Sequence, residues 1–340
     1  MGKPEETAPD QGYEVGLFRP GDAPGVADLF LEVYGRDYPI RKFIDPDLLL
    51  KENQTKKTIS IVIRTPGGRI VGHVGFFQGA PCKRLYELGS GLVSKDYRGG
   101  KGLFTEMMKL GIKTIETLPE PGIPYGESVC NHLFTQKTAL ALHFRPSALE
   151  VDLMPAKTYA KEKSSAGRVS ALLEFILPLE SPSTVFIPNC YQIQAKIIYE
   201  GLGKETDIQI SDGDWPPGIN TMIKVDYFDS AQTARLEVQQ AGADFGAVLA
   251  DEENKLFKQG ALVAQVWLNL SWPWVGKAVD ELRRQGYFLG GVLPRWFDVD
   301  GFLMQKRVGA PNWEGIQLAS DRGRMLFDLV KADWKERLKS

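Results

Sequence analysis

Arg98, Gly99, Gly100, Lys101 and Gly102 stand together between a short apolar segment and a run of helical periodicity. The segment 85–93, LYELGSGLV, alternates and is rich in small residues, which predicts a strand. From Leu103 the apolar residues Phe104, Met107, Met108, Leu110, Ile112 and Ile115 follow at helical spacing. A glycine-rich turn therefore leads a strand into a helix N-terminus. Unpaired backbone N–H groups and the helix dipole favour an anion there. Glycines let a ligand approach that backbone, so the chemistry on offer is phosphate or pyrophosphate binding. No Lys-Ser/Thr pair follows the loop, and the Gly-x-Gly-x-x-Gly spacing is absent, which sets aside both common nucleotide loops. On the motif alone, a strand–helix turn without a ligand stays open.

The elements that must position this loop read as follows. Residues 13–18 predict a first strand and 23–34 an amphipathic helix, with Arg19-Pro20-Gly21-Asp22 turning between them. Tyr34 and Tyr38 flank an aromatic turn containing Gly35 and Pro39, and 47–53 predicts a second helix. Strands at 58–64 and 70–78, joined at Pro66-Gly67-Gly68, lead to the strand 85–93. After the long helix, 125–130 predicts a strand, 133–142 a helix and 148–154 another strand. His73 falls in mid-strand, where a packed side chain is the simpler expectation.

The loop resembles motif A of the GNAT superfamily, the acyl-CoA-dependent N-acyltransferases. That family carries Arg/Gln-x-x-Gly-x-Gly/Ala after its fourth strand. This chain has one extra glycine, Gly99 or Gly100, and Phe104 where the last family glycine is usual. Phe18-Arg19-Pro20-Gly21-Asp22 and its helix resemble a GNAT amino terminus. The run 125–154, with Asn131 after the strand and His143-Phe144 in place of Gly-Phe, resembles motif B. The resemblance covers 13–156 and makes the ligand-free turn an unlikely alternative. It implies that Arg98, Gly99, Gly100, Lys101, Gly102, Leu103 and Phe104 hold the pyrophosphate of acyl-CoA. It also implies that Asn131 bonds the pantetheine arm, and that a backbone N–H near Leu92 or Val93 polarises the thioester. Tyr34, Tyr38 and Glu127 would line the acceptor site; for the two tyrosines, packing of the turn alone is an equal alternative.

Acyl transfer to an amine needs a base, an oxyanion donor and an acid for the leaving thiolate. Glu87 is the candidate base, at the spacing before Arg98 where some GNAT enzymes carry a glutamate. Alternation places it on one face with Gly89 and Gly91, where small neighbours leave room for a substrate. A strand-end carboxylate paired with Lys83 or Arg84 is an equal alternative, and Glu127 is the fallback base. The family often has a tyrosine on the motif B helix, and the position near Ala139 has none. Water, or a tyrosine from elsewhere, would then protonate the thiolate. Cys130 lies on an expected buried strand, where thiols are usually inert.

Beyond a polar linker at 157–168, the second half shows strands at 184–187, 207–211, 222–226, 234–239, 262–270, 288–293 and 301–305. Helices are expected at 191–202, 244–259, 275–285 and 320–338. The run 262–306 repeats the motif B layout, so residues 169–340 look like a degenerate GNAT-like domain. Before its helix stand Gly242 and Asp244, and the aspartate would repel pyrophosphate, so no acyl-CoA is expected there. Trp272, Trp274, Arg295, Trp296 and Phe297 form an aromatic group expected in a core or interface.

The fold class is thus α/β (α+β): two GNAT-like domains, each a mixed, mostly antiparallel sheet flanked by helices. At 340 residues the chain exceeds one ordinary core. With 43% hydrophobic and 25% charged residues it is a globular protein rather than a disordered one. A net charge of −2 gives no global attraction to nucleic acid or anionic membrane. Residues 1–12 are polar and read as a loose tail, not a signal peptide. Three scattered cysteines fit a reducing cytoplasm, and three scattered histidines give no metal spacing. The expected activity is transfer of an acetyl or other acyl group from acyl-CoA to a small-molecule or peptide amine. The alternative is a non-catalytic acyl-CoA-sensing or partner-binding protein. A homodimer is possible; no metal, nucleic-acid or membrane partner is expected.

Overall fold

The computed structural model describes residues 12–35, 40–98, 102–156, 167–177, 183–203 and 205–339. The chain divides into two compact units, Met1–Tyr125 and Gly126–Ser340. Their elements are mixed α/β, with strands and helices interspersed throughout.

The first unit contains β1 (Glu14–Leu17), α1 (Ala23–Tyr34), α2 (Pro46–Gln54), β2 (Thr58–Arg64), β3 (Ile70–Phe77), β4 (Leu85–Val93) and α3 (Leu103–Glu116). Each of β1 to β3 pairs antiparallel with the next. Every residue of β2 is buried, which explains its unbroken apolar run TISIVIR. Odd positions of β2, Ile59, Ile61 and Ile63, pack under α3 with Val74, Phe76, Met107 and Ile115. Val62 points the other way, into a cluster with Val26, Leu29 and Phe30 of α1, Phe43 and Leu92. Gly111 lets α3 settle on the sheet, since a Cβ there would lie 1.9 Å from the Phe76 ring. The turn before α1 is held by a buried pair: Arg64 Nε donates to Asp22 Oδ1 at 2.8 Å and its Nη2 to Leu17 O at 2.6 Å. Asp45 Oδ1 caps α2 by accepting from the N–H groups of Asp47 and Leu48.

β5 (Ile123–Val129) runs across the division between the units. The second unit continues with α4 (Phe134–Ala141), β6 (Arg145–Pro155), β7 (Arg168–Phe175), β8 (Ser183–Ile187), α5 (Gln192–Leu202), β9 (Thr206–Ile210) and β10 (Met222–Phe228). Then come β11 (Thr233–Gln240), α6 (Phe245–Lys258), β12 (Val263–Asn269), α7 (Val275–Arg284), β13 (Phe288–Leu293), β14 (Gly301–Arg307) and α8 (Asp321–Arg337). Its strands run in the order β7-β6-β13-β14-β12-β11-β10, with β8 and β9 as a separate parallel pair. β11 and β12 are parallel across α6, and β12–β14 and β14–β13 are antiparallel. The strand–helix run expected from 262 to 306 is present and begins earlier, at β11 and α6.

One sequence expectation needs correcting. β7 falls between the expected linker and the first strand expected beyond it, where the sequence suggested no strand. All eight of its residues are buried, so it shows no alternation to read. The compact units divide within β5, and β6 pairs antiparallel with β7. Residues 157–166 lie outside the described residues.

Candidate active site on the fourth strand

β4 does not alternate along its whole length. Glu87 pairs with Phe77, Leu88 with Phe76 and Gly89 with Gly75, but Leu92 pairs with His73. One extra residue is taken up between Gly89 and Leu92, and Ser90 there has φ +51°. The bulge reverses the expected facing. A Cβ on Gly91 would lie 2.4 Å from the Phe104 ring of α3, on the side opposite Glu87. Gly89 does share the Glu87 side, its Cβ position being 3.2 Å from the Phe77 ring and 3.6 Å from Glu87 Oε1. Leu92 and Val93 are both buried, in opposite clusters.

His73 props the bulge. Its Nδ1 lies 3.0 Å from Ser90 O and its Nε2 3.0 Å from Ser60 Oγ, and Phe30 and Phe43 pack edge-on against the ring. Burial holds its pKa down at about 4, so the ring is neutral at pH 7.

Glu87 is half-buried, and the buried Tyr125 hydroxyl donates to its Oε2 at 3.1 Å. That partner is neither of the lysine–arginine pair considered from the sequence. Phe77 lies between Thr58 on β2 and Glu87 on β4, directly opposite each across the sheet. Lys42 Nζ sits over this row, 4.3 Å from the Phe77 centroid and 5.2 Å from that of Phe43. It donates to Thr58 Oγ1 at 3.2 Å and lies 3.8 Å from Glu52 Oε2, while Thr58 Oγ1 donates to the same oxygen at 3.0 Å. Desolvation lowers the Lys42 pKa, and the charges of Glu52 and Glu87 oppose that shift. Sequence reasoning missed Lys42, Thr58, Phe77 and Tyr125 as site residues. The signal was present only for Phe77, which pairs with Glu87, and for Thr58, which pairs with Phe77 on its other side.

The turn after β4 closes on its own strand: exposed Arg98 donates from Nε to Val93 O at 2.6 Å. Gly99, Gly100 and Lys101 lie outside the described residues. Gly102 is the N-cap of α3 at φ 65°, and among the described residues, its chain neighbours and the helix backbone apart, no heavy atom lies within 4 Å of where its Cβ would be. Among the described residues nothing fills the space beside Gly102 at the helix start, where an anion is favoured, and Leu103 is buried. Tyr34 is exposed at the last turn of α1, its ring 6.1 Å from Phe30; Tyr38 lies outside the described residues.

In the second unit, Asn131 is buried and its carbonyl accepts from Gln317 Nε2 at 3.1 Å. Glu127 is engaged by Arg235, whose Nη2 donates to it at 2.6 Å and to Glu150 at 3.2 Å. Gln265 completes this group, donating to Glu150 Oε1 at 2.9 Å and accepting from Arg235 Nε at 3.0 Å. Burial and the Glu127 charge push the Glu150 carboxyl up to about 8. Burial raises Glu174 to about 8 as well, against a 2.5 Å hydrogen bond from Ser128 Oγ. Cys130 is fully buried, which drives its thiol far up.

The start of α6 is closed where that of α3 is open. A Cβ on Gly242 would meet Ile219 O at 1.8 Å, and Asp244 Oδ1 accepts from the N–H and hydroxyl of Thr221 at 3.0 and 2.7 Å. The three tryptophans expected as one group, Trp272, Trp274 and Trp296, separate. Trp272 stacks on Trp274, whereas Trp296 is core, against Trp267 and Phe175.

No family model matches the chain, and no curated protein matches it. It is similar to solved N-acetyltransferase structures over about half its length. The ribosomal-protein-S5-alanine acetyltransferase from Vibrio fischeri is 14% identical over 48% of this chain and 92% of that one, with TM-score 0.38. The spermidine/spermine N-acetyltransferase SpeG from Vibrio cholerae is 12% identical over 49% and 95%, with TM-score 0.37. An N-acetyltransferase from Staphylococcus aureus Mu50 is 12% identical over 48% and 98%, with TM-score 0.39. Likeness at this level says nothing about substrate. Among the described residues, no helix is long and apolar enough to cross a membrane.

Proposed function

We propose that the first unit is a GNAT-type N-acyltransferase site that moves an acetyl or other acyl group from acyl-CoA to a small-molecule or peptide amine. One observation carries this: on β4, the Glu87 carboxylate with its Tyr125 hydrogen bond lies at one side of a bulge, and the strand then leads to a helix whose first glycine is open. The N-terminus of α3, with Gly102 and Arg98, would hold the pyrophosphate, a reading that the unfilled space beside Gly102 supports. Acyl-CoA supplies an activated thioester carbonyl.

Glu87 takes the proton of the attacking ammonium. A backbone N–H near Leu92 or Val93, past the bulge, polarises the carbonyl. Tyr125 takes the role left vacant on α4, which has no tyrosine. Its hydroxyl protonates the departing thiolate and recovers a proton from Glu87, to which it is already hydrogen-bonded. The closed start of α6 supports a second unit without acyl-CoA. Three free thiols, two of them buried, support a cytoplasmic setting.

The missing α4 tyrosine favours one other reading, a non-catalytic acyl-CoA-binding protein. Thiol release from acetyl-CoA with a panel of primary amines separates the two. Amine-dependent release supports the transferase. Thermal protection by CoA without release from any amine supports the binder.

A further inference from the structure

The site beside Glu87 is already built for an ammonium group. It has an aromatic face in Phe77, a hydroxyl in Thr58 and the Glu52 carboxylate 3.8 Å from Nζ, while Glu87 stands directly across β4 from Phe77 and its charge acts on the same position. A cation over an aromatic face between carboxylates is the recognition an amine acceptor needs. The amine found there belongs to the protein itself. Lys42 comes from the single helical turn Arg41–Phe43, and three quarters of its side chain is withdrawn from solvent. All of these residues belong to the first unit.

We propose that Lys42 is itself an acyl acceptor, so that the protein acylates its own Nζ when no external amine displaces it. This rests on the acyltransferase reading above and names a modification site within it. Glu87 removes a proton from the Lys42 ammonium. Nζ then attacks the thioester carbonyl, an amide C–N bond forms, and the C–S bond breaks. The sulfur leaves as free CoA thiol, taking through Tyr125 the proton that Glu87 removed, and the attacking nitrogen gives up its second proton to solvent, so one proton is released for each amide formed. Nothing is oxidised or reduced, and acyl-CoA is the only co-reactant. Tethering favours this acceptor, because Lys42 needs no bimolecular encounter to reach the base. The lowered pKa of Lys42 also leaves more neutral amine than an exposed lysine has. Once acylated, Lys42 is neutral and no longer competes for the carboxylates.

The test uses the full chain with acetyl-CoA and no added amine. Acetyl occupancy is followed by peptide mass spectrometry at Lys42 and at the exposed Lys56, Lys57 and Lys113. Lys42 should be labelled at least ~10²-fold faster than these three, and Glu87→Gln should slow Lys42 by ~10²- to 10⁴-fold while leaving them unchanged. The preference should vanish in urea-unfolded chain, which serves as a control needing no variant. Labelling of Lys42 no faster than Lys56 overturns the inference. So does a Lys42 rate that Glu87→Gln leaves unaltered. Thermal protection by CoA is measured alongside. If CoA protects but Lys42 stays unlabelled, this inference alone falls; if CoA does not protect, the acyltransferase reading falls and takes the inference with it.

Discussion

Lowering the pH should weaken the first unit through one histidine. His73 is held at about 4 in the fold against 6.5 for the free side chain, because its ring is buried among Phe30, Phe43 and Ser60. Between these values the unfolded chain binds a proton that the folded unit does not. Stability is therefore complete above pH 6.5 and falls as the pH drops toward 4. The gap corresponds to about 3 kcal/mol, a sizeable part of the stability of a small domain. The chain has only three histidines, so an NMR titration of the ring resonances assigns them readily. Unfolding of β2 to β4, followed by hydrogen exchange in denaturant at pH 7 and pH 4.5, gives the energetic side. All seven tryptophans lie beyond residue 126, so fluorescence would report the wrong unit. A His73 ring that titrates near 6.5 in the native protein would refute the reasoning. So would stability of these strands that is flat from pH 7 to pH 4.5.

Glu87→Gln should lower turnover by ~10²- to 10⁴-fold with CoA affinity unchanged, and recover part of that loss at a pH that deprotonates the amine in solution; superimposable pH–rate profiles would remove Glu87 from the mechanism. Gly102→Glu should abolish thermal protection by CoA, since it sets a carboxylate in the open space at the α3 N-terminus and strains a left-handed position; full protection in a folded variant would end the loop assignment. Glu174 works in the opposite sense to His73. Its carboxyl is raised from 4.5 to about 8, so the second unit should lose stability as the pH rises through that interval. Glu174→Gln should flatten this slope in tryptophan-monitored denaturation, and an unchanged slope would contradict the assignment.

Much of this architecture could be read from the chain, for local physical reasons. The bounds of α1, β2, β4 and β13 are set by turn residues such as Pro20-Gly21-Asp22 and Pro66-Gly67, and by plain periodicity between them. The readings failed where local pattern stopped carrying the information. β7 is buried on both faces and follows a polar run, so neither alternation nor a turn marked it. The β4 bulge shifts the register by one residue, and no residue type at Ser90 announces it. Glu87 was legible as a candidate from its strand. Its partner Tyr125 is 38 residues away, and the pairing of Glu127 with Arg235 spans 108 residues. Such contacts come from strand order, which a single sequence does not display. The Lys42 position depends on a helical turn folding over the sheet, which periodicity does not report.

The Glu150 network also bears on how the chain is made. β6 has β7 as an early partner, but its other neighbour, β13, and the groups that bond the Glu150 carboxylate, Arg235 and Gln265, come from much later in the chain. On the ribosome, β6 must therefore wait with an open edge and a carboxylate whose partners have yet to be synthesised. Met1–Tyr125 draws its strand pairs from neighbours in sequence and can close while the rest is still being translated. Stalled chains ending between β6 and β12 should accordingly protect β2 to β4 from protease and leave β6 open to it. Equal protection of both at those lengths would contradict this order of assembly.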